Sequence, residues 1–126
     1  MKSLDILISF LSYDGSLTND PSDGNKIKNR IQDTNVTEVY RYQTTVDDST
    51  TNQAVNLPDA ATDYLLLFID REITIKVNGS ATALTLKPRS NGAKTFAYFQ
   101  KGTISALTVS NASGAAVNLE IIGVNK

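Results

Sequence analysis

The chain has no cysteine, no histidine and no tryptophan, a single methionine and three prolines in 126 residues. Each gap excludes something. Without cysteine there is no disulfide framework, no thiolate metal site and no thiol nucleophile. Small secreted domains often depend on disulfides, so their absence points to assembly inside a cell. Without histidine the chain lacks the commonest general base and the commonest transition-metal ligand. Without tryptophan it lacks the best aromatic platform for a sugar ring. No segment approaches the roughly 18 consecutive apolar residues of a membrane span. The start, Met1-Lys2-Ser3-Leu4-Asp5, does not read as a secretory signal, because residues 6–11 are short, interrupted by Ser9 and not followed by a small-residue cleavage site.

What is present is ordinary for a soluble globular protein: 40% hydrophobic and 20% charged residues, with a net charge of −1. The length predicts one domain, residues 1–126, able to bury roughly 65% of the surface of its unfolded form. The charge is unevenly spread. Residues 1–72 hold twelve acids and six bases, whereas residues 73–126 hold six bases and one acid, Glu120. Strands from the two halves are expected to interleave and blur this difference.

Hydrophobic patterning predicts strands and no long helix. Residues 4–11 read as a strand by their β-branched content, although the run is too short for periodicity to exclude a buried helix. Residues 13–29, rich in Asp, Asn, Ser and Gly, read as a loop, with residues 26–32 a candidate short strand. Residues 35–46 alternate, with Val36, Tyr40, Tyr42 and Val46 on one face. Residues 50–57 form a further short strand. Residues 64–69 are apolar on both faces, which suits a covered central strand. Residues 73–77 lead into Asn78-Gly79, the strongest hairpin signal in the chain, because a type I′ turn needs positive φ at both central positions. Residues 81–86 return from it. Residues 95–100 carry Phe96, Tyr98 and Phe99, and Lys101-Gly102 is predicted to turn the chain into residues 103–109. Residues 116–124 close the series with Val117, Leu119 and Ile121 on one face. Strands at intervals of about ten residues predict an all-β fold, a sandwich, jelly roll or barrel, of which an antiparallel β-sandwich of jelly-roll-like form is the first expectation. Residues 1–35 stand apart as an arm or interface segment.

Candidate sites are few. With no His or Cys, a nucleophile would have to be Ser or Thr, and neither a Ser-x-x-Lys nor a Gly-x-Ser-x-Gly pattern occurs. The adjacent carboxylates Asp47 and Asp48 read as turn residues rather than a glycosidase pair. Asp14, Asn19, Asp20, Asp23 and Asn25 make an oxygen-rich loop, but its spacing fails the EF-hand pattern, since counting from Asn19 puts Pro21 third and Arg30 twelfth. No enzyme activity, metal or cofactor is expected. Lys87, Arg89 and Lys94 form a basic cluster too small, on a slightly acidic chain, for nucleic acid. An acidic protein neighbour suits it better, either an acidic face of a different protein or the Asp14, Asp20 and Asp23 loop of another copy. Phe68, Phe96 and Phe99 are expected in the core, whereas Tyr40 and Tyr42 fit either a core or an interface. Three N-glycosylation sequons begin at Asn35, Asn78 and Asn111 and read as chance.

The stretches Tyr64-Leu65-Leu66-Leu67-Phe68-Ile69-Asp70 and Ile73-Thr74-Ile75-Lys76-Val77-Asn78-Gly79, then Leu84-Thr85-Leu86-Lys87-Pro88, carry a family likeness. So does Leu107-Thr108-Val109-Ser110-Asn111-Ala112-Ser113-Gly114 with Val117-Asn118-Leu119-Glu120. Together they resemble small virion structural proteins of tailed bacteriophages, over roughly the second half of the chain. The resemblance implies a non-enzymatic particle subunit, assembled in the host cytoplasm, with no nucleic-acid or membrane partner. Its implied partners are further copies of itself, as a homo-oligomer and specifically a trimer, and the major capsid protein or other virion proteins. Capsid decoration (cement) is the first expectation and a tail or baseplate role the second. From a different class, a β-sandwich carbohydrate-binding module recognising host glycans is the rival. For the assembly role, residues 4–11 are the expected exchanged strand, because an unpaired strand edge accepts another chain.

Overall fold

The computed structural model of the chain describes residues 2–11, 26–57 and 62–126. Every regular element is a strand: β1 (Lys2–Leu11), β2 (Lys26–Val36), β3 (Glu38–Val46), β4 (Thr50–Val55), β5 (Thr62–Ile69), β6 (Ile73–Val77), β7 (Leu84–Leu86), β8 (Thr95–Ile104), β9 (Leu107–Asn111) and β10 (Val117–Asn125). They fall into two compact units, Met1–Val36 and Thr37–Lys126.

The first unit is a two-stranded antiparallel ribbon, β1 against β2, in register from Leu4↔Asp33 to Leu11↔Lys26. A ribbon of two strands is marginally stable at best in water, so it calls for further packing. The loop expected over residues 13–29 gives way to strand at Lys26. Its remaining residues, including Asp14, Asp20 and Asp23, lie outside the described residues.

The second unit is a β-sandwich of two four-stranded antiparallel sheets, in the orders β3-β10-β5-β8 and β4-β9-β6-β7. Counted within this unit, the strands run 1-8-3-6 in one sheet and 2-7-4-5 in the other. Among the described residues of this unit, only β6 and β7 are both consecutive in sequence and paired. The alternation expected of half-buried strands places the core between the sheets. Leu65, Leu67 and Ile69 of β5 and Val117, Leu119 and Ile121 of β10 meet Ile73 and Ile75 of β6 and Leu107 and Val109 of β9. Burying each of these side chains stabilises the fold by about 1.5–3 kcal/mol.

The Asn78-Gly79 turn has the predicted chemistry. Both residues have positive φ, 53° and 69°, and the Ser80 amide donates to the Val77 carbonyl at 3.1 Å. The turn is also tied to the β8–β9 connection. Asn78 Nδ2 donates to the Thr103 carbonyl at 2.9 Å, and its Oδ1 accepts from the Ser105 amide at 2.7 Å.

Three expectations need correction. Residues 35–46 are not one strand, because the chain breaks at Thr37, whose amide donates to the Asn125 carbonyl at 2.9 Å. Lys101-Gly102 does not turn. The strand β8 runs through it, with Gly102 at φ 128° beside a register shift opposite Thr62 and Tyr64, so the flexibility of glycine serves a bulge here. The reversal comes at Ser105-Ala106 instead. Finally, Phe68, Phe96 and Phe99 are not in the core. They alternate with core positions and lie on the outer face of the β3-β10-β5-β8 sheet, where Phe96 is 50% exposed.

Candidate functional site

Register makes that outer face a grid. One row across the sheet is Thr45, Asn118, Asp70 and the chain at Lys94, the next is Gln43, Glu120, Phe68 and Phe96, and the next is Arg41, Ile122, Leu66 and Phe99. The face is therefore polar at one end and apolar at the other. Phe68 and Phe96 meet edge to face with centroids 5.8 Å apart, and Tyr64 stacks near Phe99 at 6.4 Å.

At the polar end lies a cleft of about 410 Å³, lined by Gln43, Thr45, Asp70, Gly92, Lys94 and Asn118 among others. Asp70 directly follows β5 and is 8% exposed. Its Oδ1 accepts from the Asn118 amide at 2.8 Å and its Oδ2 from Asn118 Nδ2 at 2.7 Å. No cation pairs with it among the described residues. The Gly92 amide donates to the Asp70 carbonyl at 2.8 Å and holds the basic loop over the cleft. A nearly buried carboxylate is costly unless its oxygens are satisfied, and hydrogen bonds from neutral groups supply that here.

Glu120, 6% exposed, takes two cations. Arg41 Nε donates to its Oε1, and Lys94 Nζ lies 3.0 Å from its Oε2. The hydrogen bonds from Arg41 and then Lys94 hold the Glu120 carboxyl below the usual carboxylate range, against the opposing effect of burial. The same bond holds the Arg41 guanidinium above its ordinary value.

The predicted basic cluster is split by these contacts. Lys94 belongs to the Glu120 network, Lys87 Nζ lies 3.4 Å from Glu72 Oε2, and Arg89 is exposed with no ion pair among the described residues. The two tyrosines also part. The Tyr40 ring packs on the core over Gly123, with its hydroxyl against Thr62 Oγ1, whereas Tyr42 is 38% exposed on the edge strand β3. Sequence reasoning missed Asp70, Asn118 and Gln43, because each reads locally as a turn or strand-surface residue. Glu120 left one signal: it is the only acid after residue 72. Among the described residues, no group of three or more metal-capable side chains converges. No family model, curated protein or solved structure matches the chain.

Proposed function

We propose that this chain is a non-enzymatic structural subunit of a bacteriophage virion, most plainly a capsid decoration protein that works as a homo-oligomer and contacts the major capsid protein. The observation that carries this reading is the division of the chain into a closed sandwich and a two-stranded ribbon, β1–β2, which is too small to be stable alone. In this role the ribbon packs against neighbouring subunits. Several modest contacts made at once then sum to a strong attachment. The strand orders 1-8-3-6 and 2-7-4-5 support a jelly-roll reading of the sandwich, an architecture used by capsid and lectin domains. The likeness of residues 64–122 to small virion proteins supports the same role.

Quantitative mass spectrometry of particles purified from the culture that makes this chain tests the reading. A copy number in the hundreds fits the shell. A number of about six or twelve moves the protein to the tail, whose rings have those symmetries. Its absence from particles overturns the proposal.

A further inference from the structure

The polar cleft and the exposed phenylalanine beside it have no part in the assembly reading. We infer that together they form a binding site for a neutral saccharide on the outer face of the β3-β10-β5-β8 sheet, with Asp70, Asn118 and Gln43 taking the hydroxyls and Phe96 the apolar face of the ring.

Four observations converge. The cleft, at about 410 Å³, is large enough for one or two sugar residues and lies in the range of small-molecule sites. Three of its side chains are planar hydrogen-bonding groups, the Asp70 carboxylate and the Asn118 and Gln43 amides, set beside Thr45 and Lys94. Asp70 is held rigid by its two bonds from Asn118 and meets no cation among the described residues, so its remaining lone pairs suit hydroxyl donors. Phe96 is 50% exposed and fixed by its edge-to-face contact with Phe68. Sheet geometry puts Phe96 one strand over and one row along from Asp70, about 8 Å by standard spacings of about 4.8 Å and 6.7 Å. That is a span one pyranose ring bridges, its C–H face on the aromatic ring and its hydroxyls on the acid.

Charge selects the ligand class. Glu120 and Asp70 carry two negative charges and Arg41 and Lys94 two positive ones, so the site has no net charge, with both cations committed to Glu120. An anionic sugar would find the Asp70 carboxylate and no cation left over to pair with. A divalent cation would find one free carboxylate where it needs several oxygen ligands. A neutral ligand rich in hydroxyls meets neither obstacle.

The test is a titration of the isotope-labelled full chain, followed by amide chemical shifts, with the methyl glycosides of glucose, galactose, mannose and N-acetylglucosamine, each used singly, and with N-acetylneuraminic acid as the anionic control. At least one neutral glycoside should give saturable shifts at Gly92, Lys94, Phe96 and Asn118 with a millimolar Kd. Phe96→Ala, on an exposed side chain that the fold does not need, should weaken binding about tenfold or more, and so should Asp70→Asn. Silence with all four neutral glycosides overturns the inference. So does binding that survives Phe96→Ala, or a preference for N-acetylneuraminic acid. None of these outcomes bears on particle copy number, so the site and the assembly role stand or fall separately.

Discussion

At the scale of single residues, three positions set most of what a substitution does. A Cβ on Gly123 would fall within the Tyr40 ring that crosses it from β3, so the glycine is required by close approach and not by φ. Gly123→Ala is expected to destabilise the protein by about 1–3 kcal/mol through overpacking, measured by urea unfolding. Asn111 is fully buried and serves as an internal clasp. Its Nδ2 donates to the Val46 and Ala115 carbonyls at 2.9 and 2.8 Å, and its Oδ1 accepts from the Ser113 amide at 3.0 Å. Asn111→Ala strands these groups and should cost about 2–3 kcal/mol in the same measurement. The sequon at Asn111 is thereby closed, a fact the tripeptide alone does not convey. Glu120 supplies the pH dependence. Its folded pKa is depressed, so its contribution to stability is complete above the ordinary value of 4.5 and is lost as the pH falls through the lower folded value. Glu120→Gln should therefore lower stability at neutral pH and flatten the decline below pH 4.5, as read from thermal midpoints across an acid series.

At the scale of elements, turn chemistry was the most legible feature and strand ends the least. Asn78-Gly79 announces its turn because only residues tolerant of positive φ serve there, and Gly79→Ala should cost about 1–2 kcal/mol. The bulge in β8 was illegible, since Lys101-Gly102 has the composition of a turn and only pairing with β5 shows the strand continuing. The faces of β5 and β8 were half legible. Their apolar content was plain, but which residues point inward depends on register, and register put Leu67 in the core and Phe96 outside it. The two positions should differ in degree. Leu67→Ala is expected to cost about 2–5 kcal/mol, while Phe96→Ser should cost only about 0.5–1.5 kcal/mol, the worth of its edge contact with Phe68.

At the scale of the whole molecule, the main hydrophobic cluster among the described residues is drawn from residues 46–121, within the second unit. A fragment spanning Thr37–Lys126 should therefore unfold cooperatively with a strand-rich circular dichroism spectrum and, under the proposed assembly role, should stay monomeric in light scattering where the full chain is expected to oligomerise. A fragment that assembles as well as the full chain would remove the ribbon from the assembly role. The acidic and basic halves, so distinct along the sequence, do not survive as separate surfaces in this unit. Arg41 meets Glu120 and Glu72 meets Lys87, each pair joining one residue from either half. Composition gave the fold class, because alternation and turns are local. The cleft was hidden because Gln43, Asp70, Lys94 and Asn118 are brought together only by strands distant in sequence.

The place of the last strand has a consequence for synthesis. In the sheet order β3-β10-β5-β8, β10 lies between β3 and β5, and β9 likewise lies between β4 and β6. Both sheets thus remain in two pieces until the final two strands are made. A ribosome that has translated the first hundred residues holds a chain in which one of the two central strands of each sheet is still missing, with unpaired edges exposed to aggregation. The sandwich must close late and nearly at once, from the carboxyl end. Premature termination before Val117 should therefore leave insoluble product, whereas loss of the amino-terminal ribbon should leave soluble protein.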